Sequence, residues 1–195
     1  MTRNFCKFFD EYLARLNEVL NGIRPAEVER LIELLLEARD HGRSVFFIGN
    51  GGSAATSAHF ANDLAVGTKQ VAKPFKVLSL VDNLATLTAL GNDYGYEQIF
   101  ARQVSIYGER SDLLVGVSAS GNSPNLLEAF KAAKGKGMTT VAVTAFDGGH
   151  LKEIADYSVH VPTKQGEYGP AEDAHMILDH LITNYFCSAE LGTVE

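Results

Sequence analysis

Five short apolar runs, separated by helical stretches, constrain what this chain can fold into more than any other feature. Ser44–Ile48 (SVFFI), Lys76–Val81, Asp112–Val117, Thr139–Thr144 and Tyr157–Val161 are short apolar runs, most of them with apolar residues on consecutive positions. A strand that is apolar on both faces has to be covered on both faces. Between these runs, residues 53–65, 83–90, 123–136 and 149–155 have helical patterns. The alternation predicts an α/β fold, a parallel sheet with helices on both sides.

Two further helices precede the first run. Phe5, Phe8, Phe9, Tyr12, Leu13, Leu16, Val19 and Leu20 recur at gaps of three and four, which predicts an amphipathic helix over 3–22. Pro25 suits the first turn of a second, carrying Val28, Leu31, Ile32, Leu34 and Leu35. Residues 1–42 are therefore expected as a helical arm and 43–195 as the α/β core of a single domain, 1–195. The arm's apolar faces can pack on their own domain or on another subunit. A last helix is expected from near Pro170 to about Leu191, and 66–75 and 162–169 read as irregular.

Charge and composition exclude some functions. A net charge of −7 gives a field that repels nucleic acid, so no nucleic-acid partner is expected. No apolar run is long enough to span a membrane. The opening MTRNFCKFFDEYL mixes charges into its apolar pattern, unlike a secretory leader. Cys6 and Cys187 lack the spacing of a disulfide framework or a cysteine zinc site. A cytoplasmic protein is the expectation.

In open parallel sheets ligands bind at the carboxyl ends of the strands. Those ends carry GNGGS, SLVDN, SASGNS and TAFDGG. Ser118-Ala119-Ser120-Gly121-Asn122-Ser123-Pro124 has the chemistry of a phosphate loop. Serine hydroxyls donate to phosphate oxygens, Gly121 lets the backbone approach, and a helix N-terminus supplies free N–H groups and partial positive charge. No lysine is needed, so an acidic chain can still bind a phosphate here. The plainer reading is a polar strand-to-helix turn capped by Ser123. Gly49-Asn50-Gly51-Gly52-Ser53 is a second turn of similar character.

FIGNGGSAATSAHFANDL, LGNDYGYEQIF, VGVSASGNSPN and AEDAHMILDHL, in this order, resemble the sugar isomerase (SIS) family, and within it the phosphoheptose isomerases. The resemblance covers nearly the whole chain. It implies a five-stranded parallel sheet and a homotetramer with active sites between subunits. It also implies isomerisation of sedoheptulose 7-phosphate to D-glycero-D-manno-heptose 7-phosphate, feeding ADP- or GDP-heptose synthesis. Asn50, Gly51, Gly52, Ser53, Asn92, Asp93, Ser118, Ala119, Ser120, Ser123 and Glu172 fall at substrate-contacting positions. His59 and His180 fall at zinc positions, and His180 also at one with an acid–base role. The implied metal set is His59, Asp63, Glu172 and His180, with one zinc ion per site. The implied catalytic set is His180, Asp63 and Glu172. Three positions depart from the family: Asp63 where Glu is usual, Glu172 where Gln is usual, and Ala119 where Thr is usual.

An aldose–ketose isomerisation moves a proton between neighbouring carbons through an enediol. It needs a base near the carbon acid and an acid, or a metal, near the carbonyl oxygen. His59 and Asp63, four apart on the 53–65 helix, share one face and could share a metal ion or a substrate. The bland alternative is a half-buried histidine beside a solvated aspartate. The shorter Asp63 side chain withdraws its carboxylate by roughly 1 Å, a displacement that can cost about 100-fold in rate. Glu172 could compensate, or could simply be an acid in the first turn of the last helix. Glu172 and His180 lie roughly 12 Å apart along a straight helix, so they share one ion only if that helix starts irregularly, or else act from different subunits. His175 and Asp179 read as an interface or surface pair. Asp93, in Gly91-Asn92-Asp93, could hold sugar hydroxyls or end a helix. The resemblance leaves two other outcomes: a non-catalytic tetramer binding a protein partner such as the bacterial replication initiator, or a sensor or isomerase for another sugar phosphate.

Overall fold

The computed structural model describes residues 4–68 and 73–188. Helices α1 (Phe5–Asn21) and α2 (Pro25–Asp40) lead into β1 (Ser44–Gly49) and α3 (Gly52–Asn62). There follow β2 (Lys76–Ser79), α4 (Leu84–Tyr94), α5 (Ile99–Tyr107), β3 (Leu113–Ser118) and α6 (Pro124–Gly135). The chain continues through β4 (Thr139–Thr144), α7 (Gly149–Ile154), β5 (Tyr157–His160) and α8 (Tyr168–Ser188). The five strands form one parallel sheet in the order β2-β1-β3-β4-β5. The expected α/β class is borne out.

The unbroken apolar runs follow from coverage on both faces. Val45 and Phe47 of β1 point into a core with α2, α3 and α8, alongside Val115, Val143 and Phe60. Phe46 and Ile48 point the other way, against Phe100 of α5 and Leu126 and Phe130 of α6. All six residues of β1 and of β3 are buried. Strands β2 and β5 lie at the sheet edges, and each exposes part of its length. There the expectation of two apolar faces fails, because one flank has no neighbour to cover it.

Helix ends follow local chemistry. The Asn4 side chain accepts from Cys6 N–H at the start of α1, and Asn83 caps α4 by accepting from Thr86 N–H. Prolines open α2 and α6, where no N–H is required. Two stretches differ from expectation. Gly91-Asn92-Asp93 is helical, and α4 runs on to Gly95, whose φ of 90° ends it. Helix α5 falls in a stretch for which no element was expected; with only nine residues it shows too few turns for its period to stand out. The end expected near Leu191 lies outside the described residues, as do residues 69–72 of the irregular 66–75 stretch.

The arm divides in two. Helix α2 buries Val28, Leu31, Leu34 and Leu35 in its own core. Helix α1 buries only Val19, leaving Phe5, Phe9 and Leu13 exposed. Among the described residues no helix is long and apolar enough to cross a membrane.

The expected surface pair His175 and Asp179 is instead interior, with exposures of 1% and 0%. Both lie on the buried stripe of α8 that also holds Ala171, Ala174, Leu178, Ile182 and Phe186. Burial pushes the His175 imidazole down to about 4; the Thr144 backbone opposes this and His160 adds to it. The unfolded chain therefore binds a proton here that the folded chain does not, so this residue's contribution is lost as pH falls below about 6.5. Relative to wild type, His175→Met should gain stability between pH 6.5 and 4 by up to about 3 kcal/mol, measured as the difference in urea midpoints at the two ends of that window.

Candidate functional site

The sheet order reverses direction between β1 and β3, and the loops leaving these two strands are joined by side chains. Asn50 Nδ2 donates to Asn125 Oδ1 at 2.9 Å, and Asn125 Nδ2 returns a bond to Asn50 Oδ1 at 2.8 Å. Tyr96 Oη donates to the same Asn50 oxygen at 2.9 Å. A reciprocal amide pair fixes both side chains, so the GNGGS turn and the start of α6 are held in register. Beside them a cleft of roughly 660 Å³ opens between α3 and α4, lined by Asn50, Gly51, Ala54, Asp82, Thr88 and Tyr96 among others. This is where an open α/β sheet takes ligands. Asn125 and Tyr96 were not singled out in the sequence, although both sit inside the motifs quoted above.

The serine loop is braced from below. Ser118 is buried, and its Oγ accepts from Gly121 N–H at 3.1 Å. Gly121 has φ +64°, and a Cβ there would collide with the Gly148 carbonyl. Gly121 O accepts from Leu151 N–H at 2.8 Å, and Asn122 Oδ1 from His150 N–H at 3.0 Å. The TAFDGG turn thus holds the loop closed against α7. Ser123 occupies the N-cap position of α6, yet its side chain makes no capping bond. The plainer reading, a turn capped through the Ser123 hydroxyl, does not describe it. The Ser123 hydroxyl is left for an anion, at the positive end of the α6 dipole.

Glu172 reaches the same region from α8. A Cβ on Gly52 would collide with its carboxylate, which lies over the first turn of α3. An anionic group there faces the positive end of the helix dipole. Helix α1 secures this end of α8: the Tyr12 hydroxyl donates to Asp173, and Arg15 Nη2 donates to Glu167 Oε2 at 2.8 Å. The bond to Asp173 pushes the Tyr12 phenol up to about 12, with burial adding to it. Glu167, in the 162–169 stretch, is thereby tied to α1. Helix α8 starts regularly at Tyr168, so the irregular start that would bring Glu172 to His180 is not present.

Further along the same two helices stands a second group. His59 Nε2 lies 3.4 Å from Asp63 Oδ2, 3.2 Å from His180 Nε2 and 3.9 Å from Asp179 Oδ2. One ligand atom from each of these four residues lies within 4.8 Å of all the others. Asp63 begins a π-helical turn, Asp63–Gly67, that continues α3, a feature frequent at functional positions. His59 and Asp63 are partly exposed, while Asp179 is sealed. Asp179 Oδ1 accepts from Thr183 Oγ1 at 3.3 Å, and Oδ2 has no partner. Burial pushes the Asp179 carboxyl up to about 7; Asp63 adds to the rise, and His59 and Thr183 oppose it. Two imidazoles and two carboxylates suit a divalent ion of borderline softness such as zinc.

Of the expected metal set, the structure brings together His59, Asp63 and His180. Glu172 is absent from the group, eight residues up α8 and beside Gly52. Asp179 takes a place in it that the sequence reading did not assign. Its sequence signal is an acid in the middle of the apolar stripe of α8. Asn92 and Asp93 lie on the exposed side of α4, which buries no residue in one subunit; Asn92 Nδ2 bonds Asp93 Oδ1 at 2.8 Å. Within one chain they do not join the serine loop.

Comparison with known proteins identifies the family. The family model for the SIS domain matches residues 7–145. A phosphoheptose isomerase of Rhodospirillum rubrum is 38% identical over 180 residues, covering 92% of each chain. One from Helicobacter pylori is 36% identical over 175 residues, covering 88% of this chain and 90% of its own. The structure of phosphoheptose isomerase GmhA from Neisseria gonorrhoeae superposes with a TM-score of 0.85 at 29% identity, over 95% of this chain and 100% of that one. The serine loop at the switch point, the parallel sheet and these relatives together show that the chain belongs to the SIS domain family, alongside its phosphoheptose isomerases.

Proposed function

We propose that this chain is an aldose–ketose isomerase that converts sedoheptulose 7-phosphate to D-glycero-D-manno-heptose 7-phosphate in the cytoplasm, for heptose nucleotide synthesis. The observation that carries the reading is the serine loop. It offers an unused Ser123 hydroxyl at the positive end of the α6 dipole, in a chain whose relatives are phosphoheptose isomerases. Ser53, Ser118, Ser120 and Ser123 take the phosphate with the backbone of residues 118–123, and Ala119 contributes only main chain. Asn50 orients the sugar from its pair with Asn125.

His59, Asp63 and His180 hold a divalent ion, zinc in this reading. The orphaned oxygen of Asp179 beside them suits a cation there. When bound, the ion polarises the sugar's carbonyl oxygen. Glu172 is the carboxylate left to move the proton between the two carbons, because it stands outside the cluster. It lies over the first turn of α3, next to the GNGGS turn.

A homotetramer with sites between subunits completes the reading. Its support is the exposed apolar side of α1 and the absence of any buried residue on α4. Asn92 and Asp93 then approach a neighbouring subunit's sugar hydroxyls.

Purified protein should turn over sedoheptulose 7-phosphate in a coupled assay, and His180→Ala should abolish it. A folded protein that binds the sugar phosphate without converting it would favour the sensor or protein-binding alternatives. Glu172→Gln should lower kcat by about 100-fold or more with little change in KM, the size expected for lost general-base catalysis. Ser123→Ala should raise KM by about 10-fold, the worth of one hydrogen bond to a charged group. Its thermal midpoint should hardly move, because the hydroxyl caps nothing. A drop typical of a lost N-cap, about 1 kcal/mol, would instead make Ser123 a structural residue.

A further inference from the structure

Asp179 is fully buried, on a helix face otherwise given to alanine, leucine, isoleucine and phenylalanine. One carboxylate oxygen is oriented by Thr183, and the other makes no hydrogen bond. A buried anionic oxygen without a partner is costly and persists where a cation meets it. This oxygen points into the group formed by His59, Asp63 and His180.

The spacing fits an ion. Four ligands about 2.0–2.1 Å from a tetrahedral zinc stand about 3.3–3.4 Å from one another. The three distances from His59 Nε2, at 3.2, 3.4 and 3.9 Å, bracket that edge. Two neutral imidazoles with two carboxylates balance the charge of a divalent cation. Thr183 holds the Asp179 carboxylate from behind, the usual outer-shell arrangement for a metal ligand.

We infer that Asp179, not Glu172, is the fourth ligand of a His59–Asp63–Asp179–His180 cation site that closes within a single subunit. It deepens the cation part of the proposed function and is independent of which sugar is converted. Asp179 restores on the buried side the carboxylate reach that Asp63 gives up by being one methylene short. Glu172 is thereby released from the metal.

The test uses the full chain stripped with a chelator, titrated with zinc chloride by calorimetry and melted with and without zinc. Wild type should bind one zinc per chain and melt higher with it. Asp179→Asn should lose affinity by about 100-fold or more, above the 10–100-fold typical of outer-shell changes, and lose the zinc-dependent rise in Tm. Without zinc it should be at least as stable as wild type, since a buried unpaired charge has gone. A purely structural Asp179 would give the opposite, a less stable variant with zinc affinity unchanged. Glu172→Gln should bind zinc like wild type. Should Asp179→Asn fail to fold, Thr183→Val keeps the carboxylate but frees it, and should lose about 10-fold in affinity. Equal zinc affinity in the variants at 179 or 183, loss of affinity in Glu172→Gln, or no zinc binding by wild type each overturns the assignment. A chain that binds zinc in this way yet converts no sedoheptulose 7-phosphate overturns the isomerase reading alone. A chain that converts sedoheptulose 7-phosphate but binds no zinc overturns this assignment alone.

Discussion

The packing of α3 against α8 sets where every group of chemical interest stands. Gly52 meets Glu172 at one end, and His59 and Asp63 meet Asp179 and His180 two turns further on. The two helices therefore run in the same direction, and contacts along them repeat at matched depth. Gly52 makes this possible. Any larger residue would push the Glu172 side chain away and separate the helices where the sheet delivers its loops. At the other end Phe60, Leu64, Leu178 and Ile182 bury the seam, so the polar group sits on a rigid apolar base. A site built on two packed helices holds its geometry better than one built on loops.

The serine loop depends on a different constraint, the contact between two glycine turns. Gly121 and Gly149 approach so closely that neither tolerates a side chain. The carbonyl and amide groups of one turn satisfy those of the other. This leaves the Ser123 hydroxyl without an internal partner. A loop that spent its donors on itself would be equally stable and could bind nothing.

Much of this was legible in the sequence, for definite reasons. Strands β1, β3 and β4 announce themselves because burial on both faces forces unbroken apolar runs. The serine loop is visible because a strand, a glycine and a proline-opened helix fix its place. Helix α5 is hidden by its length. The extension of α4 through Gly91 and Asn92 is hidden because both residues favour turns locally, and tertiary context overrides that preference. Asp179 is hidden for a subtler reason. Its i,i+4 relation to His175 suggests a surface pair, yet both lie on a stripe whose other members are all core residues. Reading the stripe before the pair would have placed Asp179 inside. Tyr96 and Asn125 become meaningful only once the β1 and β3 loops are seen side by side.

Two of the departures from the usual family pattern, Asp63 and Glu172, bear on one another through charge. At these two positions the α3–α8 seam carries two carboxylates where Glu and Gln would give one, and Asp179 adds a third. Two of them crowd a single histidine pair. Burial and the nearby Asp63 charge push the Asp179 carboxyl up to about 7, the expected response when two carboxylates are brought together. The third escapes the crowd because α3 turns its positive end toward Glu172 about 10 Å away along the helix. Separation is what allows one seam to carry both kinds of carboxylate. Those near the histidines stand about 10 Å along the helix from the one over Gly52, so a cation at one end of the seam leaves the carboxylate at the other end in place.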